Sequence, residues 1–201
     1  MEIPGYDYEQ HMSAKNVGQL SVLNGIFKNV INEFRPHSIC VLGCTTGNGF
    51  EHINPGITKR ITGIDINKEY LEILSSRFSE LLPLELICGD LSSISLVNYS
   101  FDLIHAALVF EYVEVDRTLK NISSWLGKDG KLSVVLQLPS KSSPVSETNY
   151  ASIKQLSTII KLVNPADFRI IAANYGLKEL KFSEYDLGTG KKFYIAIYEK
   201  E

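Results

Sequence analysis

Basic runs, long apolar runs and paired cysteines are what this sequence lacks, and each absence excludes a class of function. Lysine and arginine number 20 against 23 acidic residues, for a formal net charge of −3. The basic residues come singly or in short pairs such as Lys191-Lys192. No stripe is therefore available to neutralise a phosphate backbone, and no nucleic acid is expected as a partner. No apolar stretch approaches the ~20 residues that cross a bilayer, so no membrane partner is expected either. The opening MEIPGYDYEQHM is polar and aromatic, unlike a secretory signal, and the expected location is the cytoplasm. The three cysteines are Cys40, Cys44 and Cys88. An odd count in this setting suits free thiols in a reducing compartment. Cys40 and Cys44 lack C-x-x-C spacing and a second Cys/His pair, so no metal site is expected.

What is present is an ordinary globular balance, 44% hydrophobic and 21% charged over 201 residues, a length that suits one core. Residues 1–16 read as a partly ordered lead segment, an arm or lid. Residues 17–34 place Val17, Leu20, Leu23, Phe27, Val30 and Ile31 at helical spacing until Pro36 blocks continuation. Strands and helices then alternate. Short apolar runs at 38–43, 60–66, 84–88, 101–108 and 131–138 suit strands buried on both faces of a parallel sheet. A helix is expected from about Asn48. Others are expected over 68–81 behind the N-cap Asn67, over 116–126 ending at Gly127 to Gly130, and from Asn164 or Pro165 to about Tyr175. Residues 139–163 are polar and read as a loop or candidate lid. Residues 177–186 and 192–200 flank the turn signal LGTG, which predicts an antiparallel hairpin. The expected fold is α/β: a doubly wound, mostly parallel sheet with helices on both faces and a C-terminal antiparallel hairpin, over residues 17–201. Its ligand crevice would lie beyond the C-terminal strand ends, at the switch point.

Three features fall at such strand ends. After the first strand, VLGCTTGNGF carries Gly43 and Gly47, which permit a tight turn and close approach to a ligand. The helix expected there would present free N–H groups to an anion. At the end of the second strand stands Asp65, about 20 residues on, where an acid commonly accepts from ribose hydroxyls; the alternative is that Asp65 merely caps the following helix. After the third comes Cys88-Gly89-Asp90-Leu91. Asp90 could accept from an adenine amino group, and Ile66 and Leu91 could sandwich the base.

Over residues 17–199 the chain resembles the class I S-adenosylmethionine-dependent methyltransferases. LGCTTGNG, GIDIN, ICGDL and FDLIHAALVFEYV resemble their first four motifs, and KDGKLSVVL with the terminal hairpin matches the rest. The resemblance implies S-adenosylmethionine as cofactor. Gly43, Cys44, Thr45 and Gly47 would line its methionine part, Asp65 and Ile66 its ribose and adenine, and Asp90 and Leu91 the adenine. His105 and Ala106 would lie near the transferable methyl. The first motif departs from the family in two places: Val41 stands where an acid is usual, and Thr45 replaces the middle glycine.

Methyl transfer from a sulfonium is an in-line displacement, so the protein mainly supplies proximity, and a base is needed only for a protonated nucleophile. His105 is the candidate base, with a core role as the other reading. Glu111 and Tyr112 follow the fourth strand near the expected pocket, where Glu111 could instead be a first-turn helix acid. Tyr6, Tyr8 and His11 could close over the ligands or form a surface arm. The expected activity is methyl transfer to a small-molecule acceptor. A non-catalytic S-adenosylmethionine-binding module and another nucleotide-using Rossmann enzyme are the alternatives.

Overall fold

The computed structural model of the chain describes residues 3–201. The strands are β1 (Ser38–Leu42), β2 (Arg60–Asp65), β3 (Leu84–Cys88), β4 (Phe101–Ala107), β5 (Leu126–Gln137), β6 (Leu177–Asp186) and β7 (Lys192–Lys200). They form one seven-stranded sheet in the order β3-β2-β1-β4-β5-β7-β6. β1 to β5 are parallel; β7 runs antiparallel to both β5 and β6. The order reverses between β1 and β4, so the crevice of an open α/β sheet opens there.

Two helices cover each face. The helices α2 (Gln19–Phe34) and α3 (Lys68–Phe78) bury Leu23, Phe27, Val30, Leu71 and Leu74 against β1 residues Ile39 and Val41. The helices α4 (Val115–Trp125) and α5 (Pro165–Asn174) bury Leu119, Ile122, Trp125 and Phe168 against Leu42, Ile104 and Val134. Burial of β1 along its whole length explains its unbroken apolar run. The caps form as their residue types dictate: the Asn67 side chain accepts from Glu69 N at 3.0 Å and that of Asn164 from Ala166 N at 2.8 Å.

Three expectations are corrected. Residues Gly5–Ser13 form a helix, α1, rather than a partly ordered lead. No α-helix starts near Asn48; a single 3-10 turn, Phe50–His52, stands there. Gly47 and Gly49 both have positive φ (92° and 93°), and Pro55-Gly56 follows within a few residues, so no run is left long enough to nucleate a helix. The Gly127–Gly130 stretch begins β5 instead of merely ending a helix, and the register of β4 and β5 shifts between Phe101 and Leu103 to absorb it.

Candidate active site

One cavity of about 440 Å³ sits above the C-terminal ends of the parallel strands, roofed by α1 and the 139–163 connection. Its first wall is the loop after β1. Gly43, at φ 61°, lines the cavity, and a Cβ there would meet Val109 Cγ2 at 3.0 Å. Thr45, also left-handed at φ 47°, donates its N–H to Asp65 Oδ2 at 2.8 Å. Cys44 N donates to Ile64 O at 3.1 Å, so the loop is stitched to the end of β2. These bonds hold a non-glycine residue in a conformation that costs ~1–3 kcal/mol.

Asp65 is buried and lines the cavity. Besides Thr45 N, it accepts Asn67 N on Oδ1 at 2.9 Å, so it does cap the next turn, but each oxygen keeps a further lone pair. Burial pushes its carboxyl above the ordinary range, against the pull of the N–H groups it accepts. Beside it, Ile66 is 72% exposed on the cavity wall, an unusual exposure for a strand-end isoleucine and an open apolar platform. Asp90 and Leu91 complete that side. Ser92 N donates to Asp90 Oδ1 at 2.8 Å and holds its carboxyl low, leaving it an exposed acceptor.

The opposite wall is built from side chains. Glu111, 2% exposed, accepts Gln137 N on Oε1 at 2.7 Å, and its Oε2 has no partner among the described residues. Burial raises its carboxyl to about 7. Lys191, also 2% exposed, donates Nζ to Pro144 O at 2.6 Å, and burial lowers it to about 8. Gln19 Nε2 donates to Gln137 Oε1 at 3.2 Å. Tyr8 and Tyr112 line the same space, with burial raising both hydroxyls, Tyr8 to about 12. His11, buried, pairs Nδ1 with Thr148 Oγ1 at 2.9 Å; burial and then Lys191 hold its imidazole low.

The N-terminal part of the roof is fastened on two sides, to α3 and to the 139–163 connection. On the sheet side, Gly5 N donates to Glu69 Oε1 at 3.0 Å, and Arg77 Nη2 reaches Glu9 Oε2 at 3.2 Å. On the other, Asp7 accepts from Ser152 Oγ at 2.6 Å, and Asn16 Nδ2 donates to Glu147 O at 2.9 Å.

Five of the expected site residues lie off the cavity. His105 is buried, pairs Nδ1 with Ser133 Oγ at 3.0 Å and sits edge-on to Phe27; burial holds it down at about 4. It is a core histidine, because strand alternation turns it under α2. Ala106 points into the core on the opposite face, and the lining begins one residue later with Ala107, Leu108 and Val109. The Cys44 thiol packs toward Gly63, inside the core. Gly47 is covered by Phe78 and Leu74. Tyr6 is 67% exposed, edge-on to Tyr150. Gln19, Gln137 and Lys191 escape sequence reasoning; only pairing of distant segments brings them together, and no local signal marks them. Among the described residues no cluster of His, Cys, Asp or Glu could hold a metal, and no helix is long and apolar enough to cross a membrane.

Comparison with known proteins agrees with this geometry. Residues 40–134 match the family described as Methyltransferase domain. The match runs from β1 into β5 and identifies a methyltransferase domain there. No curated protein matches it. Among solved structures it is similar to the N-methyltransferase NodS from Bradyrhizobium japonicum in complex with S-adenosyl-L-homocysteine (15% identity, 98% of this chain and 99% of that one, TM-score 0.69). It is also similar to a TehB-like S-adenosylmethionine-dependent methyltransferase from Corynebacterium glutamicum (20% identity, 88% of each chain, TM-score 0.61). A third likeness is to magnesium protoporphyrin IX methyltransferase from Synechocystis (14% identity, 92% of this chain and 84% of that one, TM-score 0.67). At these identities the three likenesses concern the fold.

The residues present fit the family's cofactor, S-adenosylmethionine. Asp65 has spare lone pairs for a diol, Ile66 offers a flat apolar face, and a side chain at Gly43 would crowd Val109. One expected contribution is missing. Without a helix after β1 there is no dipole aimed at the cofactor, and the N–H groups of Cys44, Thr45, Gly47 and Phe50 are committed within the protein.

Proposed function

We propose that this methyltransferase acts on a small-molecule acceptor held between α1, the segment after β4 and the 139–163 connection. The observation that carries this reading is the division of one roofed cavity into two unlike walls. Asp65 would hold the ribose hydroxyls, Ile66 and Leu91 the faces of the adenine, Asp90 its amino group, and Gly43 and Thr45 the methionine part. Bound there, S-adenosylmethionine supplies a methyl group on a positively charged sulfur. Tyr8, His11 and Tyr112 would exclude water and, with Glu111, position the acceptor. A volume of about 440 Å³ lies within the usual range of small-ligand pockets. Three free cysteines suit a reducing compartment, the cytoplasm. The test is release of S-adenosyl-L-homocysteine from the purified protein given labelled S-adenosylmethionine and pooled low-molecular-weight extract. Labelled small product is expected. Label appearing only in protein or nucleic acid, or no release at all, overturns the reading.

A further inference from the structure

Glu111 and Lys191 pose a physical problem that the cofactor wall does not. Both are 2% exposed and line one cavity. Glu111 Oε2 has no hydrogen-bond partner among the described residues, and the Lys191 ammonium has one carbonyl for its three N–H groups. Neither is within ion-pair distance of an opposite charge among the described residues. They are not independent of each other in position. Glu111 accepts from the main chain of Gln137, whose side chain donates to the same Pro144 carbonyl (2.9 Å) that Lys191 uses. Two groups of opposite charge type thus share one cavity, linked through Gln137 and Pro144 but beyond ion-pair distance, each buried and incompletely satisfied. Leaving such groups unpaired costs several kcal/mol per ion, so the protein alone gains nothing by this arrangement.

Resting on the acceptor-site reading above, we propose that the acceptor is a small zwitterion, an amine that also bears an acidic group, with its nitrogen at Glu111 Oε2 and its acid against Lys191 Nζ. A plain amine would leave Lys191 uncompensated, and a plain acid would leave Glu111 so. Val145, Leu156, Ile159 and Ile160 line the same cavity and would contact a short aliphatic spacer. Of the other titratable groups lining the cavity, burial raises the hydroxyls of Tyr8, Tyr70 and Tyr112 and holds the His11 imidazole low, so these stay neutral, while Asp65 and Asp90 belong to the cofactor wall. The Glu111 carboxylate can take one proton from the ammonium: an N–H bond breaks, an O–H bond forms, and the electron pair stays on nitrogen, ready to act as nucleophile.

The test is calorimetry on the protein saturated with S-adenosyl-L-homocysteine. The probes are glycine, β-alanine, 4-aminobutyrate and 6-aminohexanoate, with butylamine and butyrate as single-charge controls. At least one amino acid should bind about tenfold or more tighter than either control. Lys191→Met should reduce it to the level of the amine and Glu111→Gln to that of the acid, while S-adenosyl-L-homocysteine affinity stays within about twofold. Lys191→Arg keeps the charge and should keep the preference, which guards against a folding defect. The proposal is overturned if butylamine or butyrate binds as well as every amino acid, or if no probe binds. It is also overturned if Lys191→Met instead weakens S-adenosyl-L-homocysteine, which would assign Lys191 to the cofactor. Failure of the unaltered protein to bind S-adenosyl-L-homocysteine at all would sink the underlying functional reading rather than this one.

Discussion

The two walls of the cavity are made differently. On the cofactor wall the working groups come from loops directly after β1, β2 and β3, and backbone N–H groups hold their carboxylates: Thr45 and Asn67 bind Asp65, and Ser92 binds Asp90. On the acceptor wall the groups are long side chains from distant segments. Gln19 reaches Gln137 across 118 positions, and His11 reaches Thr148 across 137. The first wall is simple to build, since backbone N–H groups of the strand-end loops satisfy each acid. The second buries charge with little compensation and sits under a roof of separate pieces. A fixed cofactor suits the first construction. The second can be rebuilt for another acceptor without disturbing the sheet.

The largest effect that can break this contrast is on stability. Burial raises Glu111 from 4.5 to about 7. Between those values the folded protein holds a proton that the unfolded chain has lost, so this group makes stability fall as pH rises. His105 works in the opposite sense. Burial lowers it from 6.5 to about 4, the unfolded chain holds the extra proton, and stability rises over that window. The two slopes offset each other in the unaltered protein. Glu111→Gln removes one of them. The stability of the variant relative to the parent should therefore climb by about 3 kcal/mol between pH 4 and pH 8, since each pH unit separating the folded and unfolded values is worth about 1.4 kcal/mol. Urea melts across that range check it. A difference that does not change with pH would mean that Glu111 is not desolvated, and the two walls would no longer differ in cost.

On the cofactor wall, Asp65→Ala should cost about 2–3 kcal/mol of S-adenosyl-L-homocysteine binding, as hydrogen bonds to charged groups do. Because Asp65 also holds Thr45 N and Asn67 N, the unliganded protein should lose stability too, by about 1–3 kcal/mol. Asp65→Asn keeps one acceptor oxygen and should fall between. Undiminished affinity in the folded Ala variant would remove Asp65 from the cofactor site.

How much of the molecule is legible in its sequence follows from the same contrast. β1 to β5, the hairpin and the strand-end acids lie in short stretches whose pattern is local: five consecutive buried residues in β1, an Asn at each of two caps, an acid closing β2. Val41 shows the limit of motif matching, for it is simply core among Ile39, Phe27 and Met12. His105 misleads because a strand end shows which residues approach the crevice but not which face each takes until the register is fixed. The helix expected after β1 does not form because Gly47, Gly49, Pro55 and Gly56 interrupt the only stretch that could hold it. Lys191 looks in the sequence like half of a solvated pair; pairing of β7 with β5 and the turn from Leu187 N to Lys191 O are what bury it.

Removing residues 1–13 tests whether the roof belongs to the acceptor wall alone. Met12 contributes to the core and Glu9 binds Arg77, yet every strand lies after the cut, so the sheet should persist with a lower melting temperature. Affinity for S-adenosyl-L-homocysteine should fall roughly tenfold, about 1.4 kcal/mol, while turnover of any acceptor is lost. Amide exchange in α1 should slow when S-adenosyl-L-homocysteine is added to the full chain. Equal exchange with and without it, together with equal affinity of the truncated protein, would make α1 a fixed wall rather than a closing one.

The smallest effect concerns Ile66. A large aliphatic side chain at 72% exposure gains nothing from the fold, so its removal should leave the unliganded melting temperature unchanged within error. If its free face packs on the adenine, truncation to alanine takes away apolar area that only the ligand buries. At about 25 cal/mol per Å² the loss should come to about 1 kcal/mol, or roughly fivefold in affinity. The loss should be the same for S-adenosyl-L-homocysteine and for adenosine, since both carry the base. Leu81, 67% exposed but away from the cavity, supplies the control: Leu81→Ala should change neither affinity. If Ile66→Ala binds both ligands as tightly as the parent, the base does not rest on β2. The cofactor wall would then be defined by its polar contacts alone.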